Sequence, residues 1–173
     1  GEADWADFDL DGYLDLVLLG GSTNVAETNV YKNDGDGTFT ALVVEDMVGV
    51  TRGEVRWGNL DGDEYPDLVY VGYIDTSYAG DNDYVAHSMI FKNMGDGSLE
   101  AQSDNLQEIN GGTVALGDVD RDGKADILIS HINEPLSLLR NECPVRGRSY
   151  RTRLIGTLSN RDAIGARVVL KTN

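Results

Sequence analysis

The chain has 173 residues, of which 40% are hydrophobic, so it is long and apolar enough to bury the core of one ordinary domain. Its 30 acidic and 14 basic residues give a formal net charge of −16 at pH 7. A surface this negative repels phosphate groups, which argues against nucleic acid and anionic membranes as partners. No apolar run approaches the length of a membrane-spanning helix, which argues against membrane insertion.

The first recognisable element is an acidic turn at residues 7–15, called loop 1 below, in which carboxylates recur at every second position. Gly12, at the sixth position, permits the sharp bend that directs these side chains toward one point. Carboxylates this close repel one another strongly unless a cation lies between them. We therefore predict a calcium site, with the backbone carbonyl of Tyr13 as one ligand, because calcium takes six to eight oxygen ligands. The predicted carboxylate ligands are Asp7, Asp9, Asp11 and Asp15.

Loop 1 is followed by a strand and then by a hairpin. The short apolar run at residues 16–19 predicts a buried strand. Residues 30–37 predict a second strand that enters a tight turn, because the Asp-Gly pair supplies the positive φ angles that such turns require. We find no convincing amphipathic helix, and the predicted class is all-β.

The second repeat keeps this order but changes the acidic turn, residues 59–67, called loop 2 below. Asn59 replaces the first acid, and Glu64 stands at the glycine position, although Gly62 lies two residues earlier. We still predict an ion here, bound more weakly than in loop 1. The predicted ligands are Asn59, Asp61, Asp63, Asp67 and the backbone carbonyl of Tyr65.

An insert at residues 73–84, rich in tyrosine and aspartate, separates the second and third strands of this repeat. The prediction is a long loop tip, with sugar binding or a fourth ion site as the alternatives.

The third repeat restores the full acidic pattern in residues 118–126, called loop 3 below, and then shows a shortened hairpin. Position 12 of the three loops is Leu18, Tyr70 or Ile129, whereas an EF-hand requires a bidentate glutamate there. The sequence thus predicts about three calcium ions with a structural role. The ligands predicted in loop 3 are Asp118, Asp120, Asp122, Asp126 and the backbone carbonyl of Lys124.

The loops begin 52 and 59 residues apart, a spacing that suits one four-stranded propeller blade plus insertions. We therefore predict three propeller-type blades that form a partial or open β-propeller. The predicted boundaries are about 1–46, 47–105 and 106–142, with a short C-terminal β segment at 143–173.

The loops and hairpins resemble the FG-GAP, or VCBS, repeats of integrin α-chain propellers and of many bacterial surface proteins. Residues 153–170 look like the start of an ASPIC/UnbV segment, which follows such repeats in cartilage acidic protein and its bacterial relatives. The resemblance implies a calcium-loaded propeller with more blades than the three seen here. It leads us to expect either a fragment or a subunit whose sheet edges are completed by neighbours.

Residues 140–173 carry eight basic and two acidic residues, in contrast to the acidic remainder. This basic tail predicts contact with a protein partner or with other copies of the chain, through open blade edges; folding back onto its own blades is the alternative. Cys143 is the only cysteine, so no intrachain disulfide can form.

The leading functional prediction is a non-catalytic, calcium-binding extracellular or cell-surface module, secreted, that acts in adhesion or assembly, including filament formation, with a glycan as a further candidate partner. The alternatives are a passive calcium buffer and a propeller-scaffold enzyme acting on polysaccharides. His87 and His131 are isolated and expected to be structural. The acidic and phenolic groups left for catalysis are Asp75, Asp81, Asp83 and Tyr84.

Overall fold

The structure is a computed structural model that describes residues 1–22, 25–75, 84–102, 106, 112–131 and 135–143. Within these ranges the chain forms eleven strands and no helix. The strands are β1 Glu2–Ala6, β2 Asp15–Ser22, β3 Val25–Asn33, β4 Phe39–Leu42, β5 Thr51–Gly58, β6 Asp67–Asp75, β7 Tyr84–Asn93, β8 Leu99–Gln102, β9 Val114–Gly117, β10 Asp126–Ile129 and β11 Ser137–Leu139.

The strands form three antiparallel sheets in chain order, which confirms the all-β prediction. Strands β1 to β4 form blade 1, β5 to β8 form blade 2, and β9 to β11 form blade 3; within each blade, strands that follow one another in sequence are paired. Blade 3 has three strands within the described residues. Such meanders, arranged one after another, fit a propeller-like fold. The predicted C-terminal β segment falls at residues 143–173, of which only Cys143 lies within the described part of the chain.

The apolar runs expected to be buried lie in β2, β6 and β10, each of which is the strand that follows the acidic loop in its blade. The strand that contains each run is paired on both sides. Leu68 of β6, for example, lies opposite Trp57 of β5 and Phe91 of β7. The hairpin turns are made as expected, with Gly35 at φ 78° and Gly95 at φ 75°. These turns place β3 beside β4 and β7 beside β8.

Each blade has two faces, because side chains alternate along a strand. The leading face of a blade is the one that packs on the preceding blade, and the trailing face is the one that packs on the following blade. Phe8 on blade 1 stacks on Trp57 of blade 2, with ring centroids 5.8 Å apart. This core joins the trailing face of blade 1 to the leading face of blade 2. Its buried members are Phe8, Val17, Leu19, Val30, Val50, Val55, Trp57, Leu68, Tyr70, Phe91 and Leu99.

A second core joins the trailing face of blade 2 to the leading face of blade 3. It uses the opposite side of the same central strand, since Val69 and Val71 of β6 alternate with Leu68 and Tyr70. Its buried members are Leu60, Val69, Val71, Val114, Ile127 and Ile129. The blades are therefore stacked in one direction, each through the same pair of faces.

Candidate metal-binding loops

Each acidic loop connects the first strand of its blade to the second, so the three loops occupy equivalent positions. Loop 1 lies between β1 and β2, loop 2 between β5 and β6, and loop 3 between β9 and β10. The last residue of each loop is also the first residue of the following strand. The backbone around each loop is therefore fixed at both ends by an antiparallel pair of strands.

In loops 1 and 3 the structure brings three predicted ligands together. Oxygen atoms of Asp7, Asp9 and Asp15 lie within 4.8 Å of one another. The equivalent residues of loop 3 are gathered in the same way: Asp118, Asp120 and Asp126. The fold thus brings together the carboxylates at the first, third and ninth positions of the predicted sites.

The fifth position is not part of these clusters. Asp11 accepts a hydrogen bond from the Tyr13 backbone N–H at 2.9 Å and pairs with Lys32 at 2.8 Å. Asp122 likewise accepts from the Lys124 backbone N–H at 3.0 Å. These two carboxylates brace the turn in this structure, and their role as direct ligands remains a prediction.

The Asp7 carboxylate supplies a specific test of whether a cation fits loop 1. Its Oδ2 accepts a hydrogen bond from the backbone N–H of Gly12 at 3.0 Å. Its Oδ1 is buried and has no hydrogen-bond partner among the described residues. A buried carboxylate oxygen without a partner is unfavourable by about 1–3 kcal/mol or more. A hard cation between Asp7, Asp9 and Asp15 removes this deficit, so these residues fit calcium.

The ninth position has a second role that the sequence did not reveal. Asp15 is fully buried and accepts hydrogen bonds from the backbone N–H groups of Phe8 at 2.9 Å and Asn33 at 2.8 Å. Asp67 and Asp126 make the same pair of contacts in their blades. Burial raises the pKa of Asp15 and Asp67, and the backbone donors partly oppose that shift. This carboxylate therefore ties each loop to the hairpin of its own blade.

The bend at the sixth position is confirmed, with Gly12 at φ 95° and Gly123 at φ 91°. The fourth position is also left-handed, although in two loops it is not glycine: Leu10 has φ 60° and Arg121 has φ 68°. Gly62 takes this position in loop 2, with φ 82°. Gly62 therefore adopts without strain the left-handed conformation that all three loops have at the fourth position.

Loop 2 differs in chemistry at its first position. The Oδ1 of Asn59 accepts a hydrogen bond from the Gly62 N–H at 2.7 Å, and its Nδ2 donates to the Asp63 carbonyl. At the first position, loop 2 therefore has an amide that donates a hydrogen bond, whereas loop 1 has the Asp7 carboxylate oxygen that lacks a partner. Within the described residues, loop 2 gathers no group of three acidic side chains. The ion of loop 2, and its weaker binding, remain predictions.

A basic residue in the hairpin strand, or directly after it in blade 3, contacts each loop, a feature that sequence reasoning missed. Lys32 bonds to Asp9 and Asp11, Lys92 bonds to Asp61, and Arg140 bonds to Asp120. The hydrogen bond from Lys32 lowers the pKa of Asp11, and the one from Arg140 lowers that of Asp120. The available signal was the repeated pair of a basic residue and asparagine, at 32–33, 92–93 and 140–141.

The seventh-position side chains also contact the hairpins. The Tyr13 ring lies so close to Gly35 that a Cβ there would come within 2.7 Å of it, and Tyr65 has the same relation to Gly95. The ammonium group of Lys124 donates to the Cys143 carbonyl at 3.0 Å. The predicted role of these three residues as backbone-carbonyl ligands remains a prediction.

The alternative catalytic group falls largely outside the described residues. Residues 76–83, which include Asp81 and Asp83, are not described, and neither is the side chain of Asp75. His131 shares a hydrogen bond of 2.8 Å with the Ser137 hydroxyl, and His87 lies near the Tyr70 ring. The Cys143 thiol is exposed.

Comparison with protein-family models finds an FG-GAP-like repeat at residues 7–70 and again at residues 59–129. The two matches begin at the first positions of loops 1 and 2, so the repeat detected runs from one acidic loop to the next blade. No curated protein matches the chain. Repeats of this kind are typical of extracellular or surface proteins, and among the described residues no helix is long and apolar enough to cross a bilayer.

Proposed function

Since the chain belongs to the family of FG-GAP-like repeat proteins, we propose that it is a calcium-binding, propeller-type module with a structural role in adhesion or assembly outside the cell. In this role the chain is a non-catalytic protein. The proposal also keeps residues 143–173 as the start of an ASPIC/UnbV-like segment, of which residues 144–173 lie outside the described part of the chain.

The observation that carries the proposal is the gathering of Asp7, Asp9 and Asp15 around a buried carboxylate oxygen that has no donor. The cluster offers oxygen atoms alone, which suits a hard cation and not a metal that prefers nitrogen or sulfur ligands. Calcium accepts irregular coordination by six to eight oxygens, whereas magnesium demands near-ideal octahedral geometry. The oxygens of this cluster come from one irregular turn, a geometry that favours calcium over magnesium.

The position of the loops supports a structural role for the ion. Asp15 bonds both to its own loop and to the hairpin strand at Asn33. An ion held by Asp7, Asp9 and Asp15 therefore connects the turn between β1 and β2 to β3. Because ligand binding to the folded state adds to the free energy of unfolding, calcium stabilises the blade as a whole. Extracellular modules need only weak calcium affinity, about 10⁻⁴–10⁻³ M.

Calorimetry and thermal unfolding of the full chain, stripped of metal, test this proposal. Titration with calcium is expected to release or absorb heat, and magnesium is expected to bind more weakly. A calcium concentration tenfold above Kd adds about 1.4 kcal/mol per site, which raises Tm by about 3–6 °C. The Asp9→Asn and Asp120→Asn variants should each lose one binding event.

A matched control is Asp36→Asn, which changes an acidic residue in a hairpin turn outside the loops. Its carboxylate bonds to Thr38 instead of lying in a cluster. It should keep the calcium response of the unaltered chain. Absence of both heat and a Tm change at millimolar calcium would refute calcium binding, and turnover of a polysaccharide would refute the non-catalytic role.

A further inference from the structure

Arg52 has an unusual backbone conformation at the start of blade 2. It lies at φ 53°, in the left-handed region that is uncommon for residues other than glycine. The pairing of β5 with β6 shifts register between Thr51 and Glu54, so Arg52 stands in a β-bulge, a device that redirects a side chain. Gly111 stands at the corresponding position of blade 3, seven residues before its acidic loop. Because glycine adopts a left-handed conformation without strain, the repeat itself does not require an arginine here.

The Arg52 side chain is exposed and lies over an aromatic ring. Its guanidinium carbon is 4.3 Å from the centroid of the Tyr84 ring. Among the described residues no carboxylate pairs with Arg52, whereas Lys32 and Arg140 are each paired with an aspartate of an acidic loop. A guanidinium beside a ring keeps its N–H donors in the plane of the group, where a further acceptor can reach them.

Tyr73 adds a second ring beside that of Tyr84. The two ring centroids lie 6.1 Å apart, the ring planes meet at 71°, and both side chains are half-buried. Tyr73 is the seventh residue of β6, a position at which β2 of blade 1 has Gly21. Tyr84 is the additional residue at the start of β7, which is one residue longer than β3. Both tyrosines are therefore particular to blade 2 and do not belong to the repeated core.

We propose that Arg52, Tyr73 and Tyr84 form a binding site for an acidic glycan, a chain of sugars that carries carboxylates. A pyranose ring presents C–H groups on its face, and these pack on the negative face of an aromatic ring. The planar guanidinium matches a sugar carboxylate through two parallel hydrogen bonds. Aromatic surface alone suits any sugar, whereas a cation without a carboxylate partner among the described residues selects an acidic one.

The site lies at the end of blade 2 opposite loop 2. Arg52 is near the start of β5 and Tyr73 is near the end of β6, whereas loop 2 joins the other ends of these two strands. The six residues from Arg52 to Gly58 span about 20 Å along β5. Charges farther apart than about 8 Å are largely screened at about 0.15 M salt, so the acidic loop does not repel a carboxylate bound at Arg52.

The inference names the ligand class for the adhesion role in the proposed function, and it rests on that role but not on the calcium sites. Calorimetric titration of the full chain at millimolar calcium tests it. The probe is a β-linked tetramer of glucuronic acid, and the matched ligand is the same tetramer reduced to glucose at every carboxyl group. The acidic tetramer should bind with a Kd below about 1 mM, and the neutral tetramer at least about tenfold more weakly.

Two variants locate the site. Tyr84→Ala removes a ring, and Arg52→Gly removes the guanidinium while accepting φ 53° without strain. Each should bind the acidic tetramer at least about tenfold more weakly. Arg52→Lys, which keeps the charge but not the planar fork, should recover part of the affinity that Arg52→Gly loses. Circular dichroism establishes that the variants fold.

The matched control is Arg121→Met. Arg121 is also exposed and left-handed, at φ 68°. It lies in loop 3, at the end of its blade that corresponds to loop 2, and not beside the tyrosine pair. This variant should bind the acidic tetramer as the unaltered chain does.

Four results would overturn the glycan site: a Kd above about 1 mM for the acidic tetramer; equal affinity for the neutral tetramer; binding that both site variants retain; or equal affinity for a glutamate peptide of the same charge, which would assign the site to acidic peptides. Calcium binding is measured separately by calorimetry on the metal-free chain. Glycan binding without calcium heat would refute the calcium sites alone, whereas calcium heat without glycan binding would refute the glycan site alone.

Discussion

The side-chain amide of Asn93 donates a hydrogen bond of 2.7 Å to the backbone carbonyl of Phe8, a residue 85 positions earlier and in the preceding blade. The same amide donates to the Pro66 carbonyl at 3.0 Å, and its oxygen accepts from the Gly95 N–H at 3.0 Å. Asn93 is fully buried. One side chain therefore joins an acidic loop, a hairpin turn and a neighbouring blade.

The Asn93→Ala substitution should lower the free energy of unfolding by about 2–4 kcal/mol, because it leaves buried backbone groups of two blades without partners. Asn33→Ala is the matched control. Asn33 occupies the same position in blade 1 but bonds to Leu14 within that blade, so its loss should be about 1 kcal/mol. Denaturant unfolding at millimolar calcium measures both; equal losses would show that the contact between blades contributes nothing.

The order of strands and the position of the loops could be predicted from sequence, because both depend on local pattern. The run at residues 16–19 is short, apolar and bounded by an acidic turn, and it lies in β2 as expected. The spacing of Asp7, Asp9 and Asp15 similarly predicted the cluster in loop 1. In each case the information lies within about ten residues of chain.

Burial and long-range contacts could not be predicted in this way. Trp5 and Trp57 occupy the same place in the repeat, yet within the described residues only Trp57 packs against a preceding blade, where it stacks on Phe8. Lys32 reaches Asp9 across 23 positions, and a lysine in a strand is ordinarily expected to face solvent. Such contacts depend on which strands become neighbours, which the pattern inside one repeat does not specify.

Converting the first position of loop 1 to that of loop 2 should weaken the calcium site of loop 1. Asp7→Asn replaces a buried carboxylate oxygen that has no donor by an amide of the kind that Asn59 presents to the Asp63 carbonyl. Calorimetry should therefore find one ion bound more weakly, while the metal-free protein is as stable as the original or more stable. The reverse change, Asn59→Asp, should strengthen the weakest site. An unchanged calcium affinity of loop 1 in Asp7→Asn would exclude Asp7 as a ligand.

Removing the basic residue from loop 1 should tighten calcium binding. Lys32 bonds to Asp9 and Asp11 and competes with the ion for their charge. In Lys32→Met, calcium affinity should increase about fivefold, equivalent to about 1 kcal/mol for a partly exposed pair. The metal-free form should lose stability at the same time, because its carboxylates lose a counter-charge. Calorimetry in an Asp120→Asn background isolates loop 1, and Lys32→Arg, which keeps the charge, should leave the affinity nearly unchanged.

Alkaline pH should weaken the contact between blades 1 and 2 through Tyr70. Its buried hydroxyl donates to the Val48 carbonyl at 3.1 Å, and burial raises its pKa to about 12. The unfolded-state pKa is about 10, so the folded protein retains the proton over a range in which the unfolded chain loses it. The associated stability is complete below pH 10 and is lost as pH rises to about 12, by about 2–3 kcal/mol in all.

Denaturant unfolding between about pH 8 and 11.5 should show this decline in the free energy of unfolding. Tyr70→Phe should reduce the decline, and the exposed control Tyr13→Phe should leave it unchanged. A decline of equal slope in Tyr70→Phe would assign the alkaline effect to other groups.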